Sequence, residues 1–216
     1  MATTSPGPSE TQDARVFVVT YLEVSPASVP AATTMLQGLV SSTRRADGCL
    51  RAELFQRVAP ENQFATVTIW KDQSTFEAGR DSSASKAFRD GIEAHLISGI
   101  DSRVHTGMAP APDALRTDGA VCVVTHVDVP PPSKDACIDL LKAQIEASRK
   151  EDGVVRFEVF QQSDRPNHFS VVEIWKGPKD YAAHIVADHT KAFRKKLSPI
   201  SGALYDERLY RAVAAG

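Results

Sequence analysis

The chain repeats itself once. A shift of 105 residues carries Trp175 onto Trp70, and roughly a third of the paired positions then hold the same residue. No gap is needed, so loop lengths are repeated as well as residues, which indicates two domains of one fold. The period is too long for a solenoid. We place four segments: a disordered tail at 1–14, a first repeat at 15–107, a linker at 108–119 and a second repeat at 120–212.

Each repeat has the same order of predicted elements. In the second repeat, residues 121–129 are apolar at both odd-numbered and even-numbered positions, as in a strand that is covered on both faces. After this strand, segments with apolar residues at helical spacing are interspersed with segments in which apolar and polar residues alternate, as in strands. We predict a helix at 133–150 with Ser133 as its N-cap, strands at 154–161 and 168–175, one helix from about 179 through 193, and a last strand at about 203–210.

This β-α-β-β-α-β order predicts an α+β, ferredoxin-like unit with both helices on one face of an antiparallel sheet. On the third strand of the repeat, Val171 and Trp175 lie on one parity and Val172 and Ile174 on the other. Neither face can be left in water. We therefore expect the two sheets to pack against each other and form a barrel within one chain.

Composition excludes several classes of function. The formal charge is −2 and the charged residues are interspersed, so neither nucleic acid nor a membrane surface is an expected partner. No apolar run approaches the ~20 residues of a membrane helix. Cys49, Cys122 and Cys137 lack Cys-x-x-Cys spacing and are expected to be small buried hydrophobic residues. We expect a soluble protein of a reducing compartment, the cytoplasm.

The repeats differ in the polar residues that they carry. Glu173, His184 and His189 belong to the second repeat, within an aromatic and aliphatic frame that both repeats share. The corresponding residues of the first repeat are Thr68, Gly79 and Ala84. This asymmetry predicts one working site and one supporting copy.

Alternation places Phe169, Glu173 and Trp175 on one face of their strand. We expect this face to line the barrel interior, where burial would raise the pKa of the Glu173 carboxyl unless a cation or donor lies close. The alternative is an outward Glu173 solvated by Lys176 or Arg194.

The two histidines are candidates for acid-base chemistry. Five residues apart on one helix, His184 and His189 would be separated by ~140°. No third Cys or His lies nearby, so we predict a site without metal. His189 would face the core, while His184 would share a face with Tyr181 and Asp188. A neutral imidazole oriented by a carboxylate suits a general base near pH 7, and the alternative is that both histidines are structural.

Two further histidines distinguish the second repeat. His126 replaces Tyr21 on the first strand, and His168 replaces Gln63. His126 would reach the mouth of the predicted barrel cavity if the even-numbered residues of its strand face the interior. The chain lacks a Ser/His/Asp constellation, a glycine-rich phosphate loop and a dinucleotide fingerprint, which disfavours nucleotide and hydride chemistry.

At these residues the sequence resembles the antibiotic biosynthesis monooxygenase (ABM) family of dimeric α+β barrels. The strand end Glu173-x-Trp175 and the following His184-x-x-x-x-His189 and Phe193 carry the resemblance, together with the segment 153–160. It covers nearly the whole chain as two copies, and the first copy departs from it at the three positions given above. Since the family usually builds its barrel from two chains, this protein resembles a fused dimer, a monomeric pseudo-dimer that could pair further.

The resemblance implies oxygenation of an electron-rich aromatic substrate, such as an anthrone, quinol or polyketide, by O2 without a cofactor. His184, His189 and Glu173 would then be catalytic. The residues expected at the substrate are Trp175, Tyr181, Phe169, His126 and Asp188. Alternatives are a ligand-binding barrel without catalysis, an isomerase or cyclase, and a haem-binding relative with His184 as axial ligand. Such haem-binding relatives have an Asn on the first strand, and 121–129 contains none.

Overall fold

The computed structural model describes residues 13–111 and 119–215. Most of the predicted tail and of the predicted linker lies outside these residues. None of the helices in the described part of the chain is long and apolar enough to cross a membrane.

Both repeats contain four strands and three helices, with short 3-10 turns between them. The first comprises β1 (Val16–Glu23), α1 (Val29–Arg44), β2 (Cys49–Arg57), β3 (Gln63–Trp70), α2 (Gln73–Arg80), α3 (Ser83–Ile92) and β4 (Asp101–Ala109). The second comprises β5 (Val121–Asp128), α4 (Lys134–Ser148), β6 (Val154–Gln162), β7 (His168–Trp175), α5 (Pro178–Val186), α6 (Asp188–Leu197) and β8 (Asp206–Val213). The 3-10 turns are Pro26–Ser28, Glu93–His95, Pro131–Ser133 and Ser198–Ile200.

The eight strands form a closed barrel in the order β1-β3-β2-β8-β5-β7-β6-β4. All the pairings are antiparallel, and the two repeats are joined where β4 pairs with β6 and β8 pairs with β2. Each last strand therefore bridges its own sheet to the other repeat. The predicted α+β fold, two ferredoxin-like repeats closed into a barrel within one chain, is confirmed.

Every strand of the second repeat contributes to two different apolar layers. Val172 and Ile174 belong to a cluster inside the barrel that draws residues from both repeats, including Phe17, Phe55 and Phe160. The odd-numbered residues of the same strand, β7, pack under the helices. Its cluster includes Phe169, Val171 and Trp175 together with Leu141 of α4 and Phe193 of α6. The expectation that the Glu173 face lines the barrel interior is therefore wrong, because that face is covered by helices.

The helix predicted from about 179 through 193 is two helices. Ala187 has φ −62° and ψ 146°, an extended conformation that ends α5 and starts α6. No Gly or Pro marks this break, so periodicity alone did not reveal it. The first repeat breaks at the same place, where Ser82 caps α3 by accepting a hydrogen bond from the Ser85 amide. Two smaller differences are a last strand that starts at Asp206 and a Ser133 side chain that makes no capping bond.

The barrel interior also contains charged side chains from both repeats. Arg51 of β2 donates to Glu158 of β6 at 2.6 Å, and Arg156 of β6 donates to Glu53 of β2 at 2.5 Å. These side chains share the strand face of Phe55 and Phe160 and are almost completely buried. Since β2 and β6 lie on opposite sides of the barrel, the two ion pairs cross it and connect the repeats.

Removing one member of this network should strongly destabilise the protein. In Glu158→Ala the guanidinium groups of Arg51 and Arg156 lose one of their two buried carboxylate partners and keep only Glu53. We expect the free energy of unfolding to fall by about 3–5 kcal/mol. Urea denaturation measures it.

The matched control is Glu146→Ala, which removes an exposed carboxylate paired with Lys150 and should leave the unfolding midpoint nearly unchanged. Equal effects of the two substitutions would contradict a structural role for the crossed pairs.

Candidate active site

One carboxylate joins the two histidines of the second repeat. Nδ1 of His184 lies 2.6 Å from Oε1 of Glu151, and Nε2 of His189 lies 3.1 Å from the same oxygen. The break at Ala187 allows this meeting, because it removes the ~140° separation expected on a single helix. Glu151 stands in the turn between α4 and β6.

Sequence reasoning missed Glu151 and expected Asp188 or Glu173 to orient His184; Asp188 is exposed, and the partner of Nδ1 is Glu151. The signal that could have found it is the comparison of the repeats. The position equivalent to Glu151 is Ala46, so this is another place where only the second repeat has an ionisable side chain.

The buried side of the cluster contains Glu173 and Trp175. The Trp175 indole donates its N–H to Oε2 of Glu173 at 2.9 Å, and the same oxygen lies 3.7 Å from Nε2 of His184. The His184 ring lies against the indole, with ring centroids 4.3 Å apart. His184 is 2% exposed and Glu173 1% exposed. The imidazole thus lies between a half-buried carboxylate on one side and a fully buried carboxyl group on the other.

Burial sets the protonation of this cluster. It raises the pKa of Glu173 to about 8, against the opposing hydrogen bond from Trp175. Burial also lowers the pKa of His184, although the Glu151 carboxylate acts in the opposite direction. At pH 7 the expected state is therefore a neutral His184 whose Nδ1–H donates to Glu151, with Glu173 protonated.

Of the remaining predicted site residues, Tyr181 and Phe169 lie in the same layer as Trp175, and His126 lies apart from it. Tyr181 is half-buried on α5 and packs against the apolar cluster under the helices, while Phe169 is fully buried within that cluster. Burial raises the pKa of Tyr181 above its usual value. His126 lies at the end of the barrel on the interior-facing parity, away from the helices. Its neighbours Cys122 and Val124 on the same parity are interior residues.

The cluster has the composition of a metal site. Ligand atoms of Glu151, His184 and His189 lie within 4.8 Å of one another. Two histidines and one carboxylate are the ligand set of non-haem Fe(II) oxygenases. A site without metal was predicted because no third Cys or His lies near the two histidines. Glu151 provides a third possible ligand, a carboxylate, which that prediction did not take into account.

The equivalent layer of the first repeat contains a cavity of about 530 Å³ between the sheet and the helices. Aromatic and aliphatic side chains form much of its wall, with hydroxyl groups and charged side chains, Arg80 and Asp81 among them. The lining includes Leu36, Leu39, Thr66, Thr68, Trp70, Phe76, Gly79, Ser85, Phe88 and Arg89.

Larger side chains occupy the equivalent positions of the second repeat. Gly79 lies so close to Trp70 that an added Cβ would stand 2.1 Å from the indole, and its equivalent is His184. Glu173 stands in place of Thr68, and Tyr205 in place of Ile100. The first repeat therefore has open space, and the second has the ionisable groups.

The fold and the site define the class of this protein, a tandem α+β barrel with one polar, buried cluster between sheet and helices. The sequence profile of the family described as antibiotic biosynthesis monooxygenase (ABM) matches residues 15–91 and again 120–196. The chain therefore belongs to this family. No curated protein matches the chain.

Several solved structures share the whole tandem architecture. A provisionally named monooxygenase from Fusobacterium nucleatum subsp. nucleatum superimposes with a TM-score of 0.83 at 17% identity, covering 93% of each chain. One from Lactobacillus acidophilus NCFM gives 0.74 at 12% identity, covering 92% of this chain and 94% of its own. An anthrone oxidase-like protein gives 0.74 at 14% identity, with 94% and 92% covered. At these identities the likeness establishes the fold.

The buried carboxyl of Glu173 should make stability depend on pH. Between about pH 5 and 8 the unfolded chain ionises this group while the folded protein keeps it protonated, so the folded state binds more protons. Stability should then fall as pH rises. Glu173→Gln is neutral at every pH and its amide oxygen can still accept the Trp175 N–H. We expect the variant to gain roughly 2–4 kcal/mol relative to wild type between pH 5 and pH 8.

Urea denaturation of both proteins at the two pH values measures this difference. A constant difference would mean that Glu173 is ionised in the folded protein.

Proposed function

We propose that the protein is a cofactor-independent monooxygenase that oxidises an electron-rich aromatic substrate in its second repeat. Membership of the ABM family supports the reaction class. The observation that carries the assignment to the second repeat is the buried contact of His184 with Glu151 and Trp175. The first repeat has Gly79, Ala46 and Trp70 at these positions and lacks the base.

His184 is the proposed general base. Its Nδ1–H donates to Glu151, which leaves Nε2 unprotonated and stabilises the imidazolium that forms when the base accepts a proton. Dioxygen reacts poorly with neutral closed-shell organic molecules but accepts an electron from a phenolate or carbanion. Deprotonation in an apolar site can therefore start the reaction without a flavin.

The electron balance favours a particular kind of substrate. When a CH2 group between aromatic rings becomes a carbonyl, it loses two hydrogens and gains one oxygen atom, and the second oxygen atom leaves as water. The substrate supplies all four electrons that O2 accepts, so no external reductant is needed. An anthrone meets this requirement, and the name of the anthrone oxidase-like relative agrees with it.

Access to the cluster is proposed from the side of Tyr205. This residue and Arg194 line a pocket of about 460 Å³ between the end of α6 and the segment before β8. Both lie near the Glu173 carboxyl group. Arg194 donates to both carboxylate oxygens of Glu207 at 2.8 and 3.0 Å, so its guanidinium is held in place beside this pocket.

Substitution of the proposed base should abolish most of the activity. We expect His184→Ala to lower kcat with anthrone about 10²–10⁴-fold, because the base acts in the rate-determining proton transfer. O2 uptake in an oxygen electrode measures the rate. His95→Ala, a histidine of the other repeat, is the matched control and should keep the wild-type rate. An unchanged rate in His184→Ala would remove this residue from the mechanism.

Chelation separates the base mechanism from a metal mechanism. Protein treated with EDTA and then freed of the chelator should keep its full rate with anthrone. Loss of activity that Fe2+ restores would instead assign Glu151, His184 and His189 as metal ligands.

A second candidate function, ligand binding by the first repeat, is favoured by its cavity. A volume of about 530 Å³ lies within the range of small-molecule sites, and its walls combine apolar side chains with hydroxyl groups and with the charged groups of Arg80, Asp81 and Arg89. Trp70, Phe76 and Phe88 suit the faces of a planar aromatic molecule. The binding site would thus be in the first repeat, which the sequence comparison predicted to be the supporting copy.

Tryptophan fluorescence tests this second function. Trp70 and Trp175 are the two tryptophans of the chain, so in Trp175→Phe only the cavity tryptophan emits. We expect anthrone to quench it with saturation. In the same background Thr68→Glu should abolish the quenching, because the larger, charged side chain takes up space in the cavity beside Trp70.

The reciprocal exchange Glu173→Thr is the matched control and should leave the quenching intact. Equal quenching in all three proteins would show that anthrone does not enter the cavity.

A further inference from the structure

A second group of possible metal ligands meets at one end of the barrel. His126 and Asp128 are two residues apart on β5, and His168 stands directly opposite Asp128 on β7. Alternation and register therefore place all three side chains on one face of the sheet. That face is the barrel interior, since Val172 and Ile174 of β7 share the parity of His168. The group is separate from His184, which lies under the helices.

The two imidazoles already have the spacing of a coordinated pair. Nδ1 of His168 and Nε2 of His126 are hydrogen-bonded at 3.3 Å, with the rings tilted by 34°, and a bound cation would replace the proton that they share. Two nitrogen atoms bound to a tetrahedral Zn2+ at about 2.0–2.1 Å are themselves about 3.3 Å apart. A carboxylate oxygen of Asp128 lies within 4.8 Å of a ring nitrogen of each histidine, which makes Asp128 the third possible ligand.

The surroundings suit a cation with an open coordination position. The three residues line a polar pocket of about 430 Å³ that also contains Asp101, Arg103, Asp164 and Arg165. The guanidinium of Arg103 donates to Asp101 at 2.6 Å, which balances its charge. With three carboxylates and two guanidinium groups, the pocket is negative when the imidazoles are neutral.

We propose that His126, Asp128 and His168 bind Zn2+ or a similar first-row divalent cation, which ties β5 to β7 at this end of the barrel. Three protein ligands and one position open to the pocket are the arrangement of zinc sites that keep a bound water. His126 is then a metal ligand and not a substrate-binding residue. The equivalent positions of the first repeat hold Tyr21, Glu23 and Gln63, which do not form this ligand set. The proposal does not depend on the oxygenase activity.

Metal titration of the full chain without an affinity tag, stripped of metal beforehand, tests the proposal. Calorimetry with Zn2+ gives the number of sites, and Co2+ gives the visible absorption of a four-coordinate complex. His126→Tyr and His168→Gln introduce the residues that the first repeat tolerates. We expect each to remove one equivalent of bound Zn2+, an affinity loss above the 10–100-fold that outer-shell changes alone produce.

The matched control is Glu151→Gln, which changes the other ligand cluster and should keep this equivalent. Metal should also raise the Tm of wild type and of Glu151→Gln but not of the two histidine variants. The proposal is overturned if wild type binds no Zn2+, or if both histidine variants bind as many equivalents as wild type.

Discussion

Closure of the barrel is the constraint on which the rest of the structure depends. Each last strand pairs with the other repeat, β4 with β6 and β8 with β2, so the eight-strand sheet has no free edge. Closure then encloses the interior face of the sheet, and Arg51, Glu53, Arg156 and Glu158 are buried with it. Their charges are satisfied across the barrel by the opposite repeat. Neither repeat can bury this face alone, which explains why the two copies must act as one folding unit.

The centre of the barrel is filled. Phenylalanines and ion pairs occupy it, and the cavity of the first repeat lies instead between the sheet and the helices. Duplication provides two such layers, and each has diverged. The first repeat keeps small residues at Thr68 and Gly79 and has a cavity, while the second places Glu173 and His184 there and has acid-base groups. The cavity thus lies in one repeat, and the buried ionisable cluster lies in the other.

The fold was largely predictable, because the internal repeat and the positions of apolar residues along each strand can be read directly from the sequence. Val172 and Ile174 on one parity and Val171 and Trp175 on the other required cover on both faces, and the structure provides it. Which cover lies on which face was not predictable. Both faces are apolar, so the pattern cannot distinguish helices from a second sheet.

The site was only partly predictable. His184 and Glu173 were found because they differ from their repeat partners, whereas Glu151 was missed because it stands in a turn that periodicity does not address. The break at Ala187 carries no Gly or Pro, and without it the two histidines point apart.

The sequence by itself therefore determined the duplication, the order of elements and the list of side chains that differ between the copies. Only the tertiary structure decided which of these side chains meet. Contacts such as Glu151 with His184, or His126 with His168, join residues from different elements. They depend on strand register, on the direction in which a helix restarts and on the closure of the barrel, and those are set by packing between distant segments.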